Sequence, residues 1–257
     1  MPFTASHAAA AAPLARFGFS LSALVIGSFS PDFIYFILLV PFGHLTHTIQ
    51  GVFLFCVPVG LVVFWVYHAV LKAPLAALFP EPLQKAILGE NHAASFFSIR
   101  RIAVLAASVA LGAFTHLLWD GFTHETGWAL RFLPFLNMSV MDLGFEQVPL
   151  TRVLHHASSV IGLTWLAFKA RGCLLRCGKR EILRSACAMS ALFFCAAALG
   201  ILYVWAKGPT ITGFNELRQS TIQALIATGT FLSGILAVYG VLWRISQGKA
   251  DGQKVRS

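Results

Sequence analysis

Long apolar runs at about 49–71, 101–119, 151–168, 184–206 and 220–244 leave this chain few ways to fold. A helix rises about 1.5 Å per residue, so roughly 20 residues cross the ~30 Å hydrocarbon layer of a bilayer. Lipid offers no hydrogen bonds, and a helix satisfies its own backbone. A sixth apolar stretch, from about 14 to 40, is interrupted by Gly18, Gly27 and Ser30-Pro31-Asp32. It is expected to form either a broken helix or a re-entrant hairpin. The expected fold is therefore all-α, a polytopic transmembrane helix bundle of about six membrane segments, the first broken or re-entrant.

Composition points the same way. Hydrophobic residues make up 57% of the 257 and charged ones only 11%, where soluble domains carry roughly a quarter charged. A soluble fold of this length has no core large enough for 23 phenylalanines. The net charge of +9 would suit nucleic acid only if the basic residues formed a face. They sit instead in short stretches between apolar runs, so nucleic acid is not an expected partner, and the lipid bilayer is.

Those basic stretches orient the chain. Lys72, Lys85, Arg100 and Arg101 fall in one inter-helix segment. Lys169, Arg171, Arg176, Lys179, Arg180 and Arg184 fall in another, and Arg244, Lys249, Lys254 and Arg256 in the tail. The alternate segments hold almost none: 41–50 has no Lys or Arg, 120–150 has Arg131 alone, and 207–219 has Lys207 and Arg218. The positive-inside rule makes the basic side, with the C-terminus, cytoplasmic. The expected organisation is a membrane-embedded part at 1–168, a basic loop at 169–183, two further transmembrane helices at 184–246 and a polar, unstructured tail at 247–257. Pro74, Pro80 and Pro82 mark 72–100 as a surface loop with short helices at most. The first positive charge, Arg16, follows the run Ala8–Ala12, which is not the order of a cleaved signal. Cys56, Cys173, Cys177, Cys187 and Cys195 match no disulfide or zinc-ribbon spacing and are expected as free thiols.

The histidines carry the functional signal. His44, His47, His116, His124, His155 and His156 all fall at the outer ends of spans, while His68 and His92 fall on the cytoplasmic side. Ionisable groups at membrane depth are costly and mark function. In His116-Leu-Leu-Trp-Asp120-Gly-Phe-Thr-His124 the spacing i, i+4, i+8 aligns two imidazoles and a carboxylate on one helical face, provided the helix continues past Gly121. That geometry suits a metal site built on a helix; the alternative is a capped helix end with interfacial histidines. His47 adds an imidazole at the same depth. Of His155 and His156 only one faces any given site, and Ser158 and Ser159 behind them can bond a ligand or a backbone carbonyl. Asp32 is an acid in an apolar run, expected to meet a cation or a proton, to cap the helix after Pro31, or to do both. On a straight helix His7 would lie about 37 Å from Asp32. A turn near Arg16–Gly18 would bring the two to one end.

Several motifs together resemble the bacterial family of domain of unknown function 4184. They are Met1-Pro-Phe-Thr-Ala-Ser-His7, Gly27-Ser-Phe-Ser-Pro-Asp32-Phe, His44-Leu-Thr-His47-Thr, the His116–His124 segment and His155-His156-Ala-Ser-Ser. The resemblance runs from Met1 to about Thr164, and the last two spans are generic. The pattern is similar in turn to membrane-bound metal-dependent hydrolases of the bacterial inner membrane. More distantly it is similar to the zinc-dependent phospholipase C group, with ligands in the order His, Asp, His, His-x3-Asp, His, His-x3-Glu. That resemblance implies metal ligation by His7, Asp32, His47, His116, Asp120, His124 and His155. Ser159 stands where the last glutamate would be.

The leading expectation is a membrane-embedded hydrolase using Zn²⁺ or a similar divalent ion, with Asp32 and Asp120 as its catalytic carboxylates. Its substrate would be a phosphoester or lipid-linked molecule at the outer face of the inner membrane. A transporter or metal-handling protein using the same His/Asp site is the second expectation. A structural membrane protein whose histidines only anchor helix ends is the third.

Overall fold

The computed structural model describes residues 3–41, 43–89, 98–142, 144, 147–208 and 213–254, with side chains to residue 247. It is an all-α membrane protein. An N-terminal arm of short helical turns (Thr4–His7, Ala8–Ala11, Ala12–Phe17) precedes helices α1 (Leu21–Leu38), α2 (Ile49–Ala77), α3 (Glu81–Leu88), α4 (Ile99–Thr123), α5 (Leu150–Leu174), α6 (Lys179–Ala206) and α7 (Phe214–Lys254). Among the described residues α1, α2, α4, α6 and residues 214–247 of α7 are long and apolar enough to cross a membrane. Residues 151–168, expected to form a span, are helical within α5, which is not among the five. That helix has the length, but Arg152, His155, His156, Lys169 and Arg171 make it more polar than the five.

Two compact units are distinguishable. The first comprises Met1–Phe33, Gly43–Phe64 and Phe96–Arg171; the second comprises Ile34–Phe42, Trp65–Ser95 and Gly172–Ser257. In the first, the arm and α1 form a hairpin. Gly18 makes its turn at φ +89°, a left-handed conformation glycine adopts at little cost. Both features that the sequence left open occur: the chain turns back at Gly18, and a 3₁₀ turn at Ser30–Asp32 breaks α1. Its second limb packs directly on α4: a Cβ on Gly27 would strike the Val109 carbonyl, and one on Gly112 the Leu24 carbonyl. Ser20 N donates to Ser108 Oγ at the hairpin tip, 3.1 Å away. These contacts bring the hairpin's open end, with His7 and Asp32, beside the last two turns of α4.

Further details differ from the sequence reading. The segment after α4 contains a two-stranded antiparallel hairpin, β1 (Ser139–Asp142) with β2 (Gln147–Pro149). The tail expected to be unstructured continues α7 to Lys254, because adding one residue to an existing helix costs far less than nucleating one. Residues 255–257 lie outside the described residues, as does His92. In the second unit α6 meets α7 where Gly200 faces Thr228. All five cysteines are free.

Candidate metal centre

α4 continues past Gly121, and His124 is its C-cap residue in an extended conformation. Glycine is required at 121 because the Trp128 indole occupies the space a Cβ would take. The expected face therefore forms. His116 Nε2 lies 3.2 Å from Asp120 Oδ2, and His124 Nδ1 lies 3.6 Å from Asp120 Oδ1.

The hairpin and the turn before α2 complete the site. Pro31 interrupts α1 with a 3₁₀ turn, Ser30–Asp32, and buries the Asp32 side chain. Asp32 caps no helix. Its Oδ2 accepts a hydrogen bond from Thr4 Oγ1 at 2.7 Å, so its charge is held by a side chain of the arm. Thr48 caps α2 by accepting from Gly51 N at 2.9 Å, which fixes the preceding turn and carries His47 inward. Thr46 Oγ1 ties that turn to α1 by donating to the Pro31 carbonyl at 2.8 Å.

Four ligand atoms close a ring of alternating oxygen and nitrogen. Asp32 Oδ1 lies 3.4 Å from His47 Nε2, which lies 3.7 Å from Asp120 Oδ2. Asp120 Oδ2 is 3.2 Å from His116 Nε2, which returns to Asp32 Oδ1 at 3.7 Å. Neighbouring ligands on an ion with bonds of about 2.1 Å stand about 3.0–3.5 Å apart. The ring's edges, 3.2–3.7 Å, lie at or slightly above that spacing.

The orientations of two imidazoles follow from their partners. His116 Nδ1 lies 2.7 Å from the Ser28 carbonyl, and His47 Nδ1 lies 2.9 Å from the Gly43 carbonyl. A carbonyl only accepts, so each Nδ1 carries a proton and each Nε2 is the nitrogen turned toward the carboxylates. Such outer hydrogen bonds orient histidines that ligate metals. His7 is stacked on His116, ring centroids 3.9 Å apart, with Nε2 3.6 Å from Asp120 Oδ1. Burial, and next the adjacent His116, push the His7 imidazole down to about 3, so it is neutral at physiological pH.

Buried polar atoms without partners are rare in folded proteins. Among the described residues six such side-chain atoms have no hydrogen-bond partner. Five belong to this cluster: both His7 nitrogens, Asp32 Oδ1, His116 Nε2 and Asp120 Oδ1. His116 Nε2 lies 3.2 Å from Asp120 Oδ2 without a hydrogen bond to it.

Of the seven sequence candidates, His7, Asp32, His47, His116 and Asp120 form two overlapping groups of close ligand atoms that share His116. His124 and His155 belong to neither. His124 Nδ1 is 3.2 Å from the Asp120 carbonyl, and the His155 ring stands beyond it, 5.7 Å between centroids. His44 and His156 are exposed. Ser158 and Ser159 both donate to the His155 carbonyl, at 3.0 and 2.9 Å, and Ser159 Oγ also accepts from Phe3 N at 3.1 Å. Where the phospholipase-like pattern would have a glutamate, this chain has an anchor for its own N-terminal arm.

Thr4 was missed in the sequence, although its place three residues before His7 is a usable signal. In the 3₁₀ turn Thr4–His7, residues i and i+3 eclipse. The Ser28 and Gly43 carbonyls carry no sequence signal at all.

No curated protein and no solved structure matches the chain. A family profile described as domain of unknown function (DUF4184) matches residues 1–243. The match continues well beyond Thr164, through α6 and most of α7. Over nearly its whole length, then, this chain belongs to the DUF4184 family.

Proposed function

We propose that this protein is a membrane-embedded metal-dependent hydrolase that acts on a phosphoester or lipid-linked substrate. The observation that carries the reading is the largely buried ring of Asp32, His47, His116 and Asp120, whose ligand atoms face one another at 3.2–3.7 Å. Two imidazoles and two carboxylates suit Zn²⁺ or a similar divalent ion. Such an ion supplies Lewis acidity and brings the pKa of water to about 7. Asp32 is restrained by Thr4, and Asp120 is flanked by His7 and His124. Either carboxylate is placed to accept a proton from attacking water, and neutral His7 adds an imidazole on the far side of Asp120.

The loop charges support a bacterial inner-membrane setting with the cluster on the periplasmic side and the C-terminus cytoplasmic. A transporter would need a polar path leading away from the cluster. Beneath it α1 and α4 close on each other at Gly27–Val109 and Leu24–Gly112. That packing favours a one-sided site.

The test is elemental analysis of detergent-purified protein, wild type beside His116→Ala and Asp32→Ala. About one divalent ion per chain is expected in the wild type and little in either variant. Wild-type protein without a transition metal overturns the reading.

A further inference from the structure

Beside the cluster, within the first unit, a cleft of about 260 Å³ runs between the N-terminal arm, α4 and α5. His7 and Ala10 of the arm, Trp119 of α4, and Leu154, Ala157 and Ile161 of α5 line it. Ser158 is also in the lining, but its hydroxyl is engaged by the His155 carbonyl. Ser6 of the arm lines it too, and apart from these serines and His7 the walls are mostly apolar. Ala10, Trp119, Ala157 and Ile161 are all exposed, so the cleft opens sideways onto the outer surface of the first unit. Along α5 it descends about 9 Å from the level of His155 to Ile161, away from the end of the chain's polar cluster.

His7 joins the two features. Its ring is a wall of the cleft, and its Nε2 lies 3.6 Å from Asp120 Oδ1. It is buried, and neither nitrogen has a hydrogen-bond partner among the described residues. A molecule seated against it would meet an apolar slot on one side and the carboxylate–imidazole ring on the other. The volume is just under the range of about 300–1,000 Å³ for pockets that enclose whole ligands. It suits a chain segment, and its lateral opening suits a molecule that stays partly in the bilayer.

We propose that the cleft seats the hydrocarbon chain of a lipid phosphoester while the phosphate rests on the His7–His116–Asp120 side of the cluster. This rests on the metal-hydrolase reading above and narrows its substrate to amphiphiles whose phosphate adjoins a chain. Entry is lateral, from the leaflet, past Trp119 and Ile161. Ala157 and Ala10 set the width of the slot, since a larger side chain at either fills it.

The test is photolabelling in phosphatidylcholine nanodiscs with a dialkyl phosphonate carrying a diazirine in its chain. The phosphonate keeps the charge and resists turnover. A diacylglycerol with the same diazirine and no phosphate is the control, and metal content is measured on each sample. Labelling of Leu154, Ala157, Ile161 and Trp119 by the phosphonate should exceed that by the control. It should fall to the control level in His116→Ala, and about tenfold in Ala157→Phe, which removes room for two or so methylenes. Equal labelling by both probes would make the cleft ordinary lipid-facing surface and overturn the proposal. So would labelling elsewhere in a zinc-loaded wild-type sample, and that result leaves the hydrolase reading standing. A sample that labels as expected but holds no metal sinks the hydrolase reading and keeps the chain seat. The wild-type map decides the matter even where a variant fails to fold.

Discussion

α4 in the first unit and α6 in the second are both long apolar helices, and they use their buried faces in opposite ways. α4 buries Ser108, His116, Asp120 and Thr123 among its inward residues, and two of these are ionisable. α6 buries only Ala196, Gly200 and Val204. Two hydroxyls of α7, the helix that α6 packs against, serve the backbone: Thr228 Oγ1 donates to the Ala224 carbonyl at 2.7 Å, and Thr230 Oγ1 to the Phe36 carbonyl at 2.7 Å. A hydroxyl satisfied by a carbonyl is packing. A buried carboxylate and imidazoles facing one another without donors are a site held for something else.

Several changes can break or sharpen that contrast. The largest effect is expected from His116→Ala, which removes the nitrogen common to both ligand groups. Bound metal should drop to background by elemental analysis, with the helical far-ultraviolet signal kept. Thr4→Val removes no ligand but frees Asp32 Oδ2 from its 2.7 Å hydrogen bond. A loss of metal affinity of about 10- to 100-fold is expected, as for other outer partners of metal ligands, read by competition with a chelator. Gly200→Ala drives a Cβ into Thr228. It should lower stability by about 1–3 kcal/mol, measured by thermal unfolding in detergent, with metal content unchanged. Thr228→Val should cost less than about 1 kcal/mol, since hydroxyl bonds within a bilayer are worth about that or less. A loss of metal from either second-unit variant would erase the distinction.

Much of the centre was legible because α-helical spacing is local. Asp120 faces His116 and His124 because residues four apart share a face, and that holds wherever the helix sits. His7 was ambiguous because its position depends on one backbone angle at Gly18. His155 reads as an equal of His47 by its depth in the sequence, yet it stands behind His124. The depth of a residue is a one-dimensional fact, and its direction about the helix axis relative to a distant partner is not.

By itself the sequence determined the membrane character, the helical class, the approximate spans and the residue types gathered at one end. Each follows from hydropathy, helical period and the impossibility of unpaired backbone in lipid. Tertiary structure alone decided which five of those residues meet, which ring nitrogen of two imidazoles faces the carboxylates, and that a mostly apolar cleft adjoins them. These depend on the close approach of α1 to α4 and on carbonyls, one 88 positions away and one in the turn just before its histidine. Such contacts leave no periodic trace in the chain, because every residue contributes the same carbonyl.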